Sequence, residues 1–184
     1  MSEQKLKILG IDPGTSVTGY GLVEIRDKKP VILEKGKITP RKGSTHYDRL
    51  KVLHQESMKI IQQFQPDVMA IEAPFYGKDI QAMLKLGRGQ GVIMVAALVN
   101  NLPIFEYAPL LVKQSITGMG RASKQQVAYF LQKVYHLDEL PKQLDVSDAI
   151  AVAICHFIQM DKPQKSNEYK GWGDFVKKNP GRVK

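Results

Sequence analysis

A chain of 184 residues with 43% hydrophobic content is long enough for one domain with a real core and too short for two of ordinary size. No early segment joins a basic start, an apolar stretch and a small-residue cleavage site, no apolar run approaches the ~20 residues of a membrane span, and a lone cysteine, Cys155, excludes both an internal disulfide and a thiolate metal cluster, so the expectation is a soluble cytoplasmic protein. The net charge of +9 favours a polyanionic partner, nucleic acid ahead of an anionic membrane; residues 161–184 hold seven basic against three acidic residues, which leaves the body basic by itself.

In chain order, Lys5 to Asp12 predicts a strand, Tyr20 to Arg26 a second and Val31 to Ile38 a third. Short turns, Asp12-Pro13-Gly14 and Asp27-Lys28-Lys29-Pro30, make an antiparallel meander of them. Thr45-x-x-Asp48 opens a helix as a capping box, Tyr47, Leu50, Leu53, Met58, Ile61 and Phe64 share one face, and Pro66 stops it. Asp67 to Glu72 is a short, nearly continuous apolar strand. Asp79 to Asn101 reads as a helix interrupted by Gly87, Gly89 and Gly91, and Ile104 to Tyr107 as another strand, an alternation that implies parallel pairing. Pro109 begins a short helix to about Ile116, Ser123-x-x-Gln126 caps another, and Asp145 to Met160 is the last. The expected organisation is an α/β body, residues 1–160, and a basic, flexible tail, 161–184.

This order makes the first strand central, beside the fourth. Asp12 ends the first and Glu72 the fourth, so parallel pairing brings both carboxylates to one sheet edge. Asp145 and Asp148, three residues apart, share a helix face about 60° wide. If that face covers the same edge, four carboxylates converge. Crowded, partly buried carboxylates repel one another and need a cation. Hard divalent ions suit oxygen donors, and a pair about 4 Å apart serves in-line phosphoryl displacement, so on a basic body the pattern describes a nuclease.

Each acid has a plainer reading. Asp12 fits an Asp-Pro-Gly turn, Glu72 an exposed strand end, and Asp145 with Asp148 an N-cap and N3 pair worth about 1 kcal/mol. Only their joint fall at meeting ends favours the site. His156 lies about 12 Å along the helix from Asp148, too far to share an ion, and reads as structural. Gly87, Gly89 and Gly91 sit inside a helical pattern and are no dinucleotide fingerprint; they read as close packing or a bend.

Four ordered motifs, "GIDPGTSVTGYG", "AIEAPFYGKDIQAMLKLG", "EYAPLLVKQSITGMGRASKQQV" and "LDVSDAIAVAICH", together resemble the bacterial Holliday-junction resolvase family RuvC over residues 7–158. The resemblance implies a ribonuclease-H-like fold with a mixed five-stranded sheet, three antiparallel strands followed by parallel ones, flanked by helices. It implies a homodimer that nicks four-way DNA junctions symmetrically in recombination and repair, served by a branch-migration helicase complex. Asp12, Glu72, Asp145 and Asp148 match the acids that hold Mg²⁺, two ions per site with Mn²⁺ as substitute. Lys113 and Lys124 match basic positions that serve junction binding and cleavage, and Phe75 an aromatic that touches unpaired bases. The chain departs from the family where Gly-Gln-Ala-Arg-Gly is usual: it reads Gly87-Arg88-Gly89-Gln90-Gly91, with the arginine two places early.

Two other classes compete. Actin-like ATPases and sugar kinases share an opening like "GIDPGTSVTG" but need a second domain to close on the nucleotide. A non-catalytic junction-binding module has no need of four acids.

Overall fold

In a computed structural model of the chain, which describes residues 5–14, 16–74, 79–135, 144–161 and 176–177, three consecutive strands form the meander: β1 (Leu6–Asp12), β2 (Thr18–Arg26) and β3 (Lys29–Ile38). The tight β2–β3 turn holds Asp27 at φ 49° and Lys28 at φ 61°, two successive left-handed residues that match the twist of a two-residue hairpin. β3 therefore starts at Lys29, two residues earlier than expected. Pro30 falls inside it, tolerated because β3 is an edge strand.

Helix α1 (His46–Phe64) begins on the Thr45/Asp48 capping box and ends at Gln65 in the left-handed conformation, one residue before Pro66. Its buried residues are Leu53, Ser57, Ile60 and Ile61, so the apolar stripe starts later than expected and Tyr47, 79% exposed, lies off it. Strand β4 (Val68–Glu72), helix α2 (Ile80–Val99) and strand β5 (Ile104–Tyr107) follow as a parallel crossover. α2 runs through its three glycines without a break. It is also long and apolar enough to cross a membrane, against the expectation from the sequence. Here it packs on α1 as a crossover helix, burying Gln90, Ile93, Ala96 and Ala97. α3 (Pro109–Thr117) carries proline in its first turn and a left-handed Gly118 cap, α4 (Lys124–Val134) a Ser123/Gln126 capping box, and α5 (Leu144–Met160) closes the body.

The five strands lie in the order β3-β2-β1-β4-β5. Residue alternation divides the core in two. Leu9, Ile11, Met69 and Ile71 pack with α1 and α2, whereas Ile8, Val68 and Ala70 pack with α3, α4 and α5. That division decides which helices the functional carboxylates meet.

Candidate active site

β1 and β4 pair in parallel with Ile11 opposite Ile71, so Asp12 and Glu72 follow at one level at the carboxyl ends. Both have the parity of Ile8 and Val68, and so face α5 rather than α1 and α2.

Glycines bring α5 within reach. Asp12 pairs across β1–β2 with Gly19, and a Cβ at Gly19 would overlap the carbonyl oxygen of Asp145. One at Gly10 would overlap the carbonyl oxygen of Ala149, and one at Gly21 would crowd the Ile150 side chain at 2.6 Å. Helix backbone thus lies directly on strand backbone, a contact only side-chain-free residues permit. Of the glycines in "GIDPGTSVTGYG" only Gly14 was legible, as a turn residue; the role of Gly10, Gly19 and Gly21 as the bed of α5 was missed. Asp145 lies inside the first turn of α5 rather than at its N-cap, so of the plainer reading only the favourable helix-dipole placement stays.

The four acids act on one another. Burial, then repulsion from Glu72 and Asp148, raises Asp12 to about 7; Asp145 adds to the repulsion and Lys124 opposes it. Burial and the Asp148 charge raise Glu72 to about 7, against Lys124 and Lys113. Asp148 rises as well, burial outweighing its bond to Lys124. Burial alone would lower Lys124, but the hydrogen bond and charge of Asp148, with Asp12 and Asp145 behind it, raise it instead. The Lys124 ammonium donates to Asp148 Oδ2 across half-exposed surface. A cleft of about 320 Å³ opens here, lined by Glu72, Lys113, Lys124 and Asp148.

These residues fit a divalent cation. Their donors are all carboxylate oxygens, burial first and neighbouring acid charge second raise the two at the strand ends, and an ammonium group stands as cation against Asp148. As placed, no three of the carboxylate, imidazole or thiol side chains among the described residues stand close enough together to hold one ion, so the fit is one of donor chemistry.

Phe75 lies outside the described residues. Arg88 is exposed on α2. Gln90, where the family has arginine, is buried and donates from Nε2 to the Glu72 carbonyl oxygen at 3.4 Å and to Glu106 Oε2 at 3.3 Å, tying α2 to the end of β4. Sequence reading passed over it because glutamine in a glycine-rich helix carries no chemical signature. His156 is structural, as expected: Tyr107 Oη and His156 Nδ1 are 2.7 Å apart, buried at the far end of α5.

The family model for crossover junction endodeoxyribonuclease RuvC matches residues 8–156. The chain belongs to the RuvC family. It is 50% identical over 179 residues to the crossover junction endodeoxyribonuclease RuvC of Bacteroides fragilis, covering 96% of this chain and 95% of that one. The relative from Porphyromonas gingivalis is 44% identical over 189 residues, all of both chains. Among solved structures, T. thermophilus RuvC in complex with Holliday junction substrate superposes with TM-score 0.78 at 28% identity, over 84% of this chain and 94% of that one. Membership makes this chain a metal-dependent nuclease and sets aside both competing classes.

Proposed function

We propose that this RuvC protein resolves four-way DNA junctions by symmetric, Mg²⁺-dependent hydrolysis of phosphodiesters during recombination and repair in the cytoplasm, with Asp12, Glu72, Asp145 and Asp148 holding two ions per site and Mn²⁺ able to replace them. The observation that carries this reading is the approach of acids from β1, β4 and α5 beside a cleft lined by Glu72 and Asp148, with Asp12, Glu72 and Asp148 raised by burial and by neighbouring acid charge. Bound there, divalent ions supply the positive charge that polarises the scissile phosphate and acidifies an attacking water. Asp12 and Glu72 on the strand ends, with Asp145 and Asp148 on the helix, would hold the ions. Lys124 and Lys113, which line the same cleft, would contact phosphates next to the cut, and Phe75 would stack on an unpaired base.

The protein acts as a homodimer, because one domain carries one carboxylate cluster and two strands of like polarity are cut. Exposed Val95, Leu98 and Val99 on α2 supply an apolar face for self-association. A branch-migration helicase delivers the junction, and the basic segment 161–184 adds non-specific affinity. The test is nicking of a synthetic mobile four-way junction beside a linear duplex, with and without Mg²⁺, with mass followed by light scattering. Junction-selective cutting only with the ion supports the reading. Equal cutting of duplex, or cutting in chelator, contradicts it.

A further inference from the structure

A second cavity, of about 240 Å³, lies on the other side of the β1 end, between the turn after that strand and the facing parts of α1 and α2. Its lining includes Gly14, Arg49, Lys85 and His46, with Leu50 and Leu53 as its apolar part, and no acidic residue contributes to it. The catalytic cleft, by contrast, sets Glu72 and Asp148 beside its lysines. His46 carries Nε2 buried and without a hydrogen-bond partner among the described residues, a group that donates to an anion whenever its proton is on that nitrogen. Two cationic side chains, Arg49 and Lys85, backed by a buried imidazole and with no acidic residue in the described lining, make a site for a dianion or a phosphodiester.

Position selects the phosphodiester. Gly14 is two residues from Asp12, so their Cα atoms lie within about 7 Å of each other across the strand end, and phosphates along one strand recur every ~3.4 Å of helix rise. We infer that this cavity binds a backbone phosphate of the cleaved strand within about three nucleotides of the cut, through Arg49 and Lys85, and so sets the strand's register across the catalytic edge. The inference rests on the proposed function, since the strand entering the carboxylate cleft is the one that reaches the cavity. Lys85 and Arg49 are positioning residues: neither lines the catalytic cleft.

The experiment uses the full chain and a four-way junction bearing a single uncharged methylphosphonate, stepped through the linkages flanking the cut. Gel-shift affinity and Mg²⁺-dependent nicking are read for wild type, Lys85→Gln and Arg49→Gln. Lys85 is exposed, so its variant keeps the fold. One flanking linkage should weaken wild-type binding several-fold, and the same substitution should cost the variants nothing further. Their salt slopes should be shallower by about one. Variants that lose the same factor at every linkage, or a wild type indifferent to all flanking linkages, overturn the inference. Failure of wild type to cut the unmodified junction overturns the proposed function instead, and the binding scan still decides the cavity.

Discussion

The two ends of α5 are built on opposite principles. Toward Met160, every polar group named on the helix has a protein partner: His156 with Tyr107, and Cys155 and Gln159 both on the Ser115 hydroxyl, at 3.4 and 2.7 Å. Burial holds His156 below the ordinary imidazole value and pushes Tyr107 up to about 12, so this pair stays neutral. At the other end, Asp145 and Asp148 add charge to Asp12 and Glu72 where burial already opposes it. One helix therefore has a satisfied end that anchors and a frustrated end that is completed from outside. Buried polar groups without partners are costly, so frustration retained beside a saturated network marks where a ligand belongs.

Breaking the frustrated end has the largest expected effect. Asp12→Asn and Glu72→Gln each remove a donor charge without removing a phosphate contact, so nicking should fall by about a thousandfold or more. Junction affinity should hold or tighten. Cleavage and gel-shift assays on one junction check this, and a variant cutting near the wild-type rate would remove its residue from the site.

Lifting the helix off its bed should disturb both ends together. At Gly10 an added Cβ meets backbone of Ala149 and Ala153, so Gly10→Ala should cost about 3 kcal/mol and lower Tm by roughly 6–12 °C. Calorimetry showing an unchanged Tm would mean α5 is not seated by backbone contact. A smaller effect is expected at the satisfied end. Tyr107→Phe strands His156 Nδ1 in a buried setting and should cost about 2 kcal/mol. Nicking per folded molecule should stay unchanged, and a fall in that rate would show that the anchoring end reaches the chemistry.

Much of this contrast was legible in the sequence, for reasons that differ by residue. Asp12 and Glu72 were readable because each closes an apolar strand, and strand order then forces their ends together. The capping boxes at Thr45 and Ser123 were local, and local hydrogen bonds are what short patterns encode. Contacts between distant segments were not readable. Nothing near Gly10, Gly19 or Gly21 announces α5, more than a hundred residues away, and Tyr107 does not signal His156. Tyr47 was placed on the apolar face because an aromatic at the start of an amphipathic run satisfies the pattern whether or not anything packs on it, and here it is exposed. The acid-free cavity was invisible for the same reason, since Gly14, Arg49 and Lys85 meet only through the packing of α1 on α2.

The central claim, that the carboxylates are crowded for a cation, is tested most directly by the pH dependence of Mg²⁺ stabilisation. Burial and neighbouring charge raise Asp12 and Glu72 to about 7 in the folded chain, from the ordinary 3.8 and 4.5 of the free groups. Raised carboxylates bind more protons folded than unfolded, so their contribution to stability is full below about pH 4 and is lost as pH rises through about 7. Mg²⁺ replaces those protons and competes with them below 7. Thermal unfolding of the full chain should show a gain in Tm on adding Mg²⁺ that is small at pH 6, larger at pH 8, and absent at both in Asp12→Asn. A gain equal at the two pH values, or one that survives Asp12→Asn, would contradict the account.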